Sequence, residues 1–254
     1  MSTTAEGRAH PRISRRRSAV ARSRKRRLWL CFVALVILAA GLWAAFFSPL
    51  LKVRSVEVVG ATHTEPQAVI AASTVSDADN LLLLATSEVA HRIERLSWVK
   101  SAEVERILPG TVRVHISERK PALATALGGI HWTVDAHGHV LSAQGTDDLP
   151  VISGWGDAGL EVGDVIDNPE GLGALRVWRA LDGRLKQSVV AIVVPTPERI
   201  SLTLDDSTVV RLGSASRLDA KQEVLRVLSR RLQQEGRTAA YIDVRVPTSP
   251  AVSL

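Results

Sequence analysis

The residues with the clearest potential for metal chemistry lie together in the middle of the chain. His131, Asp135, His137 and His139 occur within nine residues. Imidazole and carboxylate groups bind a metal ion when several of them converge on one point. Asp135 and His137 precede Gly138, so the spacing permits convergence but is more typical of a solvated hairpin turn. We favour the turn, and the sequence predicts neither a metal site nor a cofactor.

Signs of catalysis are few. Residues 152–156 (ISGWG) resemble a loop of trypsin-like proteases, but neither a G-x-S-x-G motif nor a Gly-Asp-Ser-Gly-Gly run accompanies them. The sequence also contains no P-loop and no G-x-G-x-x-G motif. These absences favour a binding protein over an enzyme. We therefore predict no catalytic residue and no small-molecule substrate.

Residues 240–246 (AYIDVRV) predict the last strand of the chain, which Pro247 would stop. Tyr241, Asp243 and Arg245 should face one side, because successive side chains of a strand point to opposite faces. Ile242, Val244 and Val246 should face the other. At the edge of a sheet this strand would offer backbone groups to an added strand. The periodicity fits an internal core strand equally well.

Charge is distributed very unevenly along the chain. Residues 1–27 carry ten of the 32 basic residues and one of the 26 acidic residues, so the remainder is weakly acidic. This excludes a globular protein built to coat nucleic acid, whose basic residues would cluster on the folded domain. We interpret residues 1–27 as a disordered tail that acts as a topology signal. The only cysteine, Cys31, excludes an intramolecular disulfide and a multi-cysteine zinc site.

Residues 28–47 predict a transmembrane helix that begins at Leu28 and ends at Phe47. The segment contains no charge, and a helix of its length spans about 30 Å, the thickness of the hydrocarbon core. A cleaved signal peptide is the alternative, because Ala39-Ala40-Gly41 is similar to a cleavage site. The apolar run is too long for one and continues beyond that triplet. The basic tail places the N-terminus in the cytoplasm and the bulk of the chain outside.

The external part predicts a mixed α+β fold in two domains. Residues 53–120 predict the order strand, helix, helix, strand, strand, in which Thr64 and Gln67 have the spacing of a capping box for the first helix. Alternation of Val112, Val114 and Ile116 with polar residues indicates a half-buried strand. Residues 121–246 predict a β-rich domain with flanking helices, and 247–254 form a short C-terminal tail.

The ordered set of sequence blocks in this external part resembles a known family. The POTRA domain of the FtsQ/DivIB cell-division proteins is similar to 56–60 (VEVVG), 96–99 (LSWV), 107–111 (ILPGT) and 118–121 (ERKP). The resemblance continues through 134–138 (VDAHG) to 240–245 (AYIDVR), and covers roughly residues 28–246. It implies a small β-α-α-β-β POTRA domain followed by a β domain.

The resemblance also implies a function. Members of the family are non-enzymatic scaffolds of the divisome, which link early and late division proteins in septum formation. The last strand of their β domain recruits an FtsB/DivIC-like protein and its companion FtsL, and the complex regulates synthases of the FtsW and FtsI kinds. Carried over to this chain, the contacts fall on Tyr241, Asp243 and Arg245, with Ile242 and Val244 holding the strand in place.

The resemblance also implies a location and a second contact surface, and two alternative functions stay open. The chain would lie in the cell membrane as a single-pass protein at the division septum. The POTRA domain would meet other division proteins along an edge, either the strand 53–59 or the hairpin strand 112–116. The alternatives are a POTRA protein of outer-membrane assembly or secretion, or an envelope hydrolase. Alternating membrane strands that would support the first alternative are absent from the sequence.

Overall fold

The computed structural model describes residues 29–41, 43–44, 51–146, 148–156 and 159–254. Residues 29–41 are helical and are called helix α1, and residues 43–44 are also helical. Leu28 and Phe47, the predicted ends of the membrane anchor, lie outside the described residues, as does the basic tail. Within the described ranges, no helix has both the length and the hydropathy of a bilayer-crossing segment.

The chain divides into two compact units. One contains the described residues up to Ser55, together with 76–84 and 106–112; the other contains 56–75, 85–105 and the chain from Arg113 onwards. The first sheet has three strands in the order β1-β3-β2. The elements of this fold, in chain order, are β1 (Ser55–Val59), α2 (Pro66–Ser73), α3 (Thr86–Ile93), β2 (Val99–Ile107) and β3 (Thr111–Glu118). The predicted element order is therefore confirmed.

Hydrophobic periodicity explains this small fold. Val112 and Val114 of β3 are fully buried and Ile116 is nearly so, because alternate residues of a half-buried strand face the core. Val89 and Ile93 of α3 are also buried, as expected of residues one helical turn apart. The central position of β3 accounts for the strictness of its alternation.

The predicted capping box at Thr64 is wrong. The N-cap residue of α2 is Glu65, and its side chain makes no capping hydrogen bond. The carboxylate of Glu118, at the end of β3, instead accepts hydrogen bonds from the backbone N–H groups of Thr62, His63 and Thr64, the last at 2.7 Å. His63 also stacks on Trp98, with ring centroids 4.6 Å apart. A residue distant in sequence thus takes over the role that local spacing suggested.

The second sheet has nine strands in the order β12-β11-β10-β9-β8-β7-β4-β5-β6. Three helices accompany it, and its core contains Trp155, Trp178, Ile192 and Leu202. The elements are β4 (Pro121–Leu127), β5 (Ile130–Asp135), β6 (Val140–Ser142), β7 (Val151–Ser153), α4 (Pro169–Ala180), α5 (Gly183–Ser188), β8 (Val189–Val193), β9 (Ile200–Leu204), β10 (Val209–Gly213), α6 (Leu218–Gln234), β11 (Tyr241–Asp243) and β12 (Ala251–Ser253). The prediction of a β-rich segment with flanking helices is confirmed.

Acid should lower the stability of the three-stranded fold (β1, α2, α3, β2 and β3) through protonation of Glu118. Burial alone would raise the pKa of Glu118, but the N–H groups of Thr64, His63 and Thr62 outweigh it and lower the pKa from 4.5 to about 2. Because the folded pKa is depressed, the ionised carboxylate contributes stability above pH 4.5, and this is lost as the pH falls towards 2. At about 1.4 kcal/mol per pKa unit, we expect Glu118→Gln to remove up to about 3 kcal/mol at pH 7.

Urea unfolding of both proteins as a function of pH measures this effect. The difference in unfolding free energy between wild type and Glu118→Gln should shrink as the pH approaches 2. If the difference in unfolding free energy is the same at pH 7 and pH 2.5, the charge of Glu118 does not stabilise the backbone that precedes α2.

Candidate functional site

The two ends of the nine-stranded sheet differ in how their outer backbone groups are satisfied. At one end, β6 is covered by the segment 163–166. The N–H of Val140 donates to the carbonyl of Asp164 at 2.9 Å, and the carbonyl of Val140 accepts from Gly163 at 3.0 Å. The carbonyl of Leu141 accepts a hydrogen bond from the Ser97 hydroxyl at 3.1 Å. This end therefore has little backbone left to offer an added strand.

At the other end, β12 is the terminal strand. It pairs antiparallel with β11 through Tyr241–Ser253, Ile242–Val252 and Asp243–Ala251. Within the described part of the chain, no strand pairs with the outer side of β12. Val252 is 38% exposed although its cross-strand neighbour Ile242 is buried, which is the pattern of an apolar face that stops at the sheet edge. The C-terminal edge is thus the end at which the sheet could be extended.

The residues singled out from the sequence lie directly behind this edge, on β11 and just after it. The carboxylate of Asp243 accepts hydrogen bonds from Arg245 Nε at 3.0 and 2.9 Å, and from the Arg245 backbone N–H at 3.0 Å. These bonds, from the Arg245 side chain above all, hold the pKa of Asp243 below its usual value. The guanidinium of Arg211 lies 4.6 Å from the centre of the Tyr241 ring. The four side chains form one polar cluster beside the edge.

Ile242 and Val244 face the opposite way and belong to the core. The expected edge position of this strand is wrong, however, because β11 is paired on both sides, parallel to β10 and antiparallel to β12. Its backbone groups are already used within the sheet. The residues that hold the edge itself are Ala251, Val252 and Ser253, which lie in the predicted tail.

Sequence reasoning missed β12 and Arg211. The connection between β11 and β12 contains 247–250 (PTSP), which is rich in turn residues and followed by a short β-compatible run. That pattern is the signal of a returning strand. Arg211 pairs with Asp243 across the β10–β11 ladder, and such a pairing between distant segments leaves no local trace in the sequence.

Asp135 and the backbone of His137 and His139 form a structural turn, whereas His131 lies exposed on β5. One carboxylate oxygen of Asp135 accepts hydrogen bonds from the backbone N–H groups of His137 and His139, at 2.8 and 3.0 Å. The other accepts from Arg119 at 3.1 Å. Burial, followed by the charge of Arg119, lowers the pKa of His139. Among the residues that the structure describes, no three His, Cys, Asp or Glu side chains are grouped as metal ligands would be.

The protease-like segment 152–156 has a structural role. Trp155 of the 152–156 segment is buried, and its indole N–H donates to the Thr125 hydroxyl at 3.0 Å, so this segment contributes to the core.

The expectation that 112–116 could form a free edge of the POTRA unit is wrong, since β3 lies between β1 and β2. The edge strands are β1 and β2. On β2, the Ala102 N–H is already bonded to the Glu94 carboxylate at 3.1 Å.

Comparison with known proteins assigns both folded parts of the chain. Residues 51–119 match the model of the FtsQ-type POTRA domain, and residues 122–245 match that of the FtsQ/DivIB C-terminal domain. The two matches therefore define a two-domain protein of the cell-division class.

Relatives make the assignment specific. The cell-division protein FtsQ of Mycobacteroides abscessus is 32% identical over 88% of this chain and 68% of its own length. FtsQ of Corynebacterium glutamicum is 28% identical over 72% of this chain and 81% of its own length. The chain belongs to the FtsQ/DivIB family of cell-division proteins. A solved structure of the major extracytoplasmic domain of DivIB from Geobacillus stearothermophilus is matched at 20% identity with a TM-score of 0.30, over 41% of this chain and 87% of that one.

The two strands of the terminal hairpin should respond differently to truncation, although Ile242 and Val252 lie on the same face of the sheet. Ile242→Ala removes a buried side chain and should lower the unfolding free energy by about 2–5 kcal/mol. Val252→Ala truncates the exposed partner of Ile242 and should change it by less than about 1 kcal/mol. Urea denaturation measures both. Equal losses would mean that β12 is as much part of the core as β11.

Proposed function

We propose that this protein is a non-enzymatic scaffold of the divisome that recruits an FtsB/DivIC-like protein by strand addition. The FtsB/DivIC-like protein brings an FtsL-like coiled-coil companion, and the complex regulates septal cell-wall synthesis by FtsW- and FtsI-type enzymes. The observation that carries this proposal is the terminal position of β12, whose outer side is unpaired in the described chain. The protein would thereby link early and late division proteins.

Strand addition requires backbone groups in register and a neighbouring surface to cover. Main-chain hydrogen bonds supply affinity, and contacts with alternate side chains supply specificity. Val252, exposed next to the buried Ile242, offers the incoming strand an apolar contact that continues the core face. The opposite end of the sheet, covered by 163–166, lacks this opportunity. We therefore assign the added strand to the C-terminal end.

Tyr241, Asp243 and Arg245 would then act as side-chain contacts, since their own strand is internal. A strand added outside β12 lies two strand spacings from β11, about 10 Å away, so only long side chains reach it. Arg245, whose side chain is 61% exposed, meets that requirement. Tyr241 lies against the Arg211 guanidinium and would position that cation. Asp243 is 14% exposed and bonded to Arg245, so its role is to orient the guanidinium. Ile242 and Val244 hold the strand against the core.

The membrane anchor and the domain limits complete the proposal. Residues 28–47 would cross the cell membrane once, with 1–27 in the cytoplasm and the POTRA domain (53–120) and β domain (121–246) outside. Anchoring the protein beside a membrane-bound partner raises the effective concentration of each for the other. The location we propose for this assembly is the division septum.

A proline at the edge tests strand addition. Val252→Pro removes a backbone N–H and Val252→Ala keeps it, so the two variants separate main-chain pairing from side-chain contact. Because neighbouring residues of a strand direct their N–H groups to opposite sides, Ser253→Pro should be measured as well. We expect at least one of the proline variants to bind the purified FtsB/DivIC-like partner about tenfold or more weakly, which corresponds to about 1.4 kcal/mol.

The controls are specific to the edge. Val252→Ala should bind within a few-fold of wild type, and urea unfolding should show that the β domain is intact in all three variants. Ile242→Pro is a poor test because β11 is paired on both sides. Undiminished binding by both proline variants would exclude this edge, and normal septation of cells depleted of the protein would exclude the division role.

A further inference from the structure

Three leucines stand exposed on two neighbouring turns of the smaller compact unit. Leu82 is 42% exposed, Leu83 is 61% exposed and Leu108 is 62% exposed. All three lie in segments that the chain packs with residues 51–55, namely 76–84 and 106–112. We call the turn that carries Leu82 and Leu83 and the turn that carries Leu108 the leucine turns. Solvent-exposed leucines are costly in water when they gather at one end of a fold, so their grouping calls for a partner surface.

The first turn is held rigidly in the conformation that exposes its leucines. The carbonyl of Asn80 accepts hydrogen bonds from the N–H groups of Leu83 and Leu84 at 3.0 Å, and the Asn80 side chain accepts from Leu82 at 2.9 Å. Leu81 points the other way and is fully buried, with its N–H bonded to the carbonyl of Leu51 at 2.8 Å. Exposure of Leu82 and Leu83 is thus fixed by the backbone.

The second turn is the tip of the β2–β3 hairpin. The carbonyl of Gly110 accepts a hydrogen bond from the Arg54 N–H at 2.7 Å. A side chain at Gly110 would lie 2.7 Å from the carbonyl oxygen of Lys52, so only glycine allows this approach. Both turns are therefore joined directly to residues 51–54, which are the first described residues after residues 43–44.

This attachment limits how far the leucine turns can lie from the membrane. Three residues lie between Phe47, the proposed end of the anchor, and Leu51, and the four steps of chain from one to the other reach at most about 14 Å. The polar layer on each side of the hydrocarbon core is several ångströms thick. The residues that hold the leucine turns must then lie at or near the lipid headgroups. A lipid surface is the partner that the covalent chain always brings within reach.

The charges around the turns suit the same partner. Lys52, Arg54 and Arg106 are exposed, and the Arg106 side chain donates to the carbonyl of Leu84 at 2.7 Å. Asp77 and Asp79 lie in the same segments, so the three cations and two carboxylates give a net charge of +1, and Asp79 accepts hydrogen bonds from Ser76. Apolar tips flanked by cations are the composition of surfaces that insert into the headgroup boundary of anionic membranes.

We propose that the leucine turns insert into the lipid interface and seat the base of the POTRA domain on the membrane. This inference rests on the proposed membrane anchor. The seat would restrict the orientation of the smaller compact unit relative to the bilayer. The leucine turns would contact lipid, specifically the headgroup boundary of a bilayer that contains anionic phospholipid.

Site-specific labels on the full chain in anionic phospholipid vesicles test the proposal. The native Cys31 lies within the proposed anchor, so a nitrobenzoxadiazole label there reports on the anchor itself. In a Cys31→Ser background, Leu83→Cys and Leu108→Cys report on the leucine turns. Val227→Cys is the matched control, because Val227 is similarly exposed but lies on α6. Doxyl-labelled lipid quenches labels in the bilayer, and iodide quenches labels in water.

Labels at positions 83 and 108 should lose more emission to doxyl lipid, and less to iodide, than the label at 227. With the label at 108, Leu83→Asp should reduce the quenching by lipid, because a carboxylate resists transfer from water, while Leu83→Met should preserve it. Lipid quenching at 83 and 108 no stronger than at 227, together with lipid quenching at Cys31, would overturn the seat and leave the anchor intact. Iodide quenching at Cys31 would overturn the anchor and the seat together.

Discussion

An open β-sheet ends in two strands whose outer backbone groups must be satisfied by something other than the sheet. This constraint organises the larger domain. At the β6 end, residues 163–166 supply the missing partners, so the sheet is closed to addition. At the β12 end, no strand of the described chain does so. Water satisfies such groups in isolation, but a second polypeptide does so with register and direction. The proposed recruitment follows from this difference between two edges of one sheet.

The rest of the domain supports the edge. β10 and β11 are parallel, and a parallel pair needs a long crossover, which α6 provides (Leu218–Gln234). β12 follows after a short connection and runs antiparallel to β11. It is the terminal strand of the sheet, and only three of its residues pair with β11. Ile242 and Val244 tie β11 into the core, while the Arg211, Tyr241, Asp243 and Arg245 cluster faces the other way. The edge strand is therefore short, but it pairs with a strand that is packed into the core.

The sequence predicted the elements well where the signal is local. The alternation of β3 and the helical spacing of Val89 and Ile93 reflect burial on one face, which a sequence displays directly. It failed where distant segments decide. Glu118 replaced the capping box at Thr64, since three backbone N–H groups bind a carboxylate from another strand. β12 was missed because it has three residues and follows two prolines, and the order of strands in a sheet is a non-local property. The polar residues near the edge were found, but their strand was taken for the edge itself.

Hydrogen exchange at the backbone amides of residues 251–253 tests the central claim most directly. The amides that point outward from β12 have no strand partner in the described chain and should exchange rapidly in the free protein. Saturation with the FtsB/DivIC-like partner should slow their exchange, because strand addition places each of them in a ladder hydrogen bond. Fast exchange of every amide in 251–253 in the saturated complex would contradict strand addition at this edge.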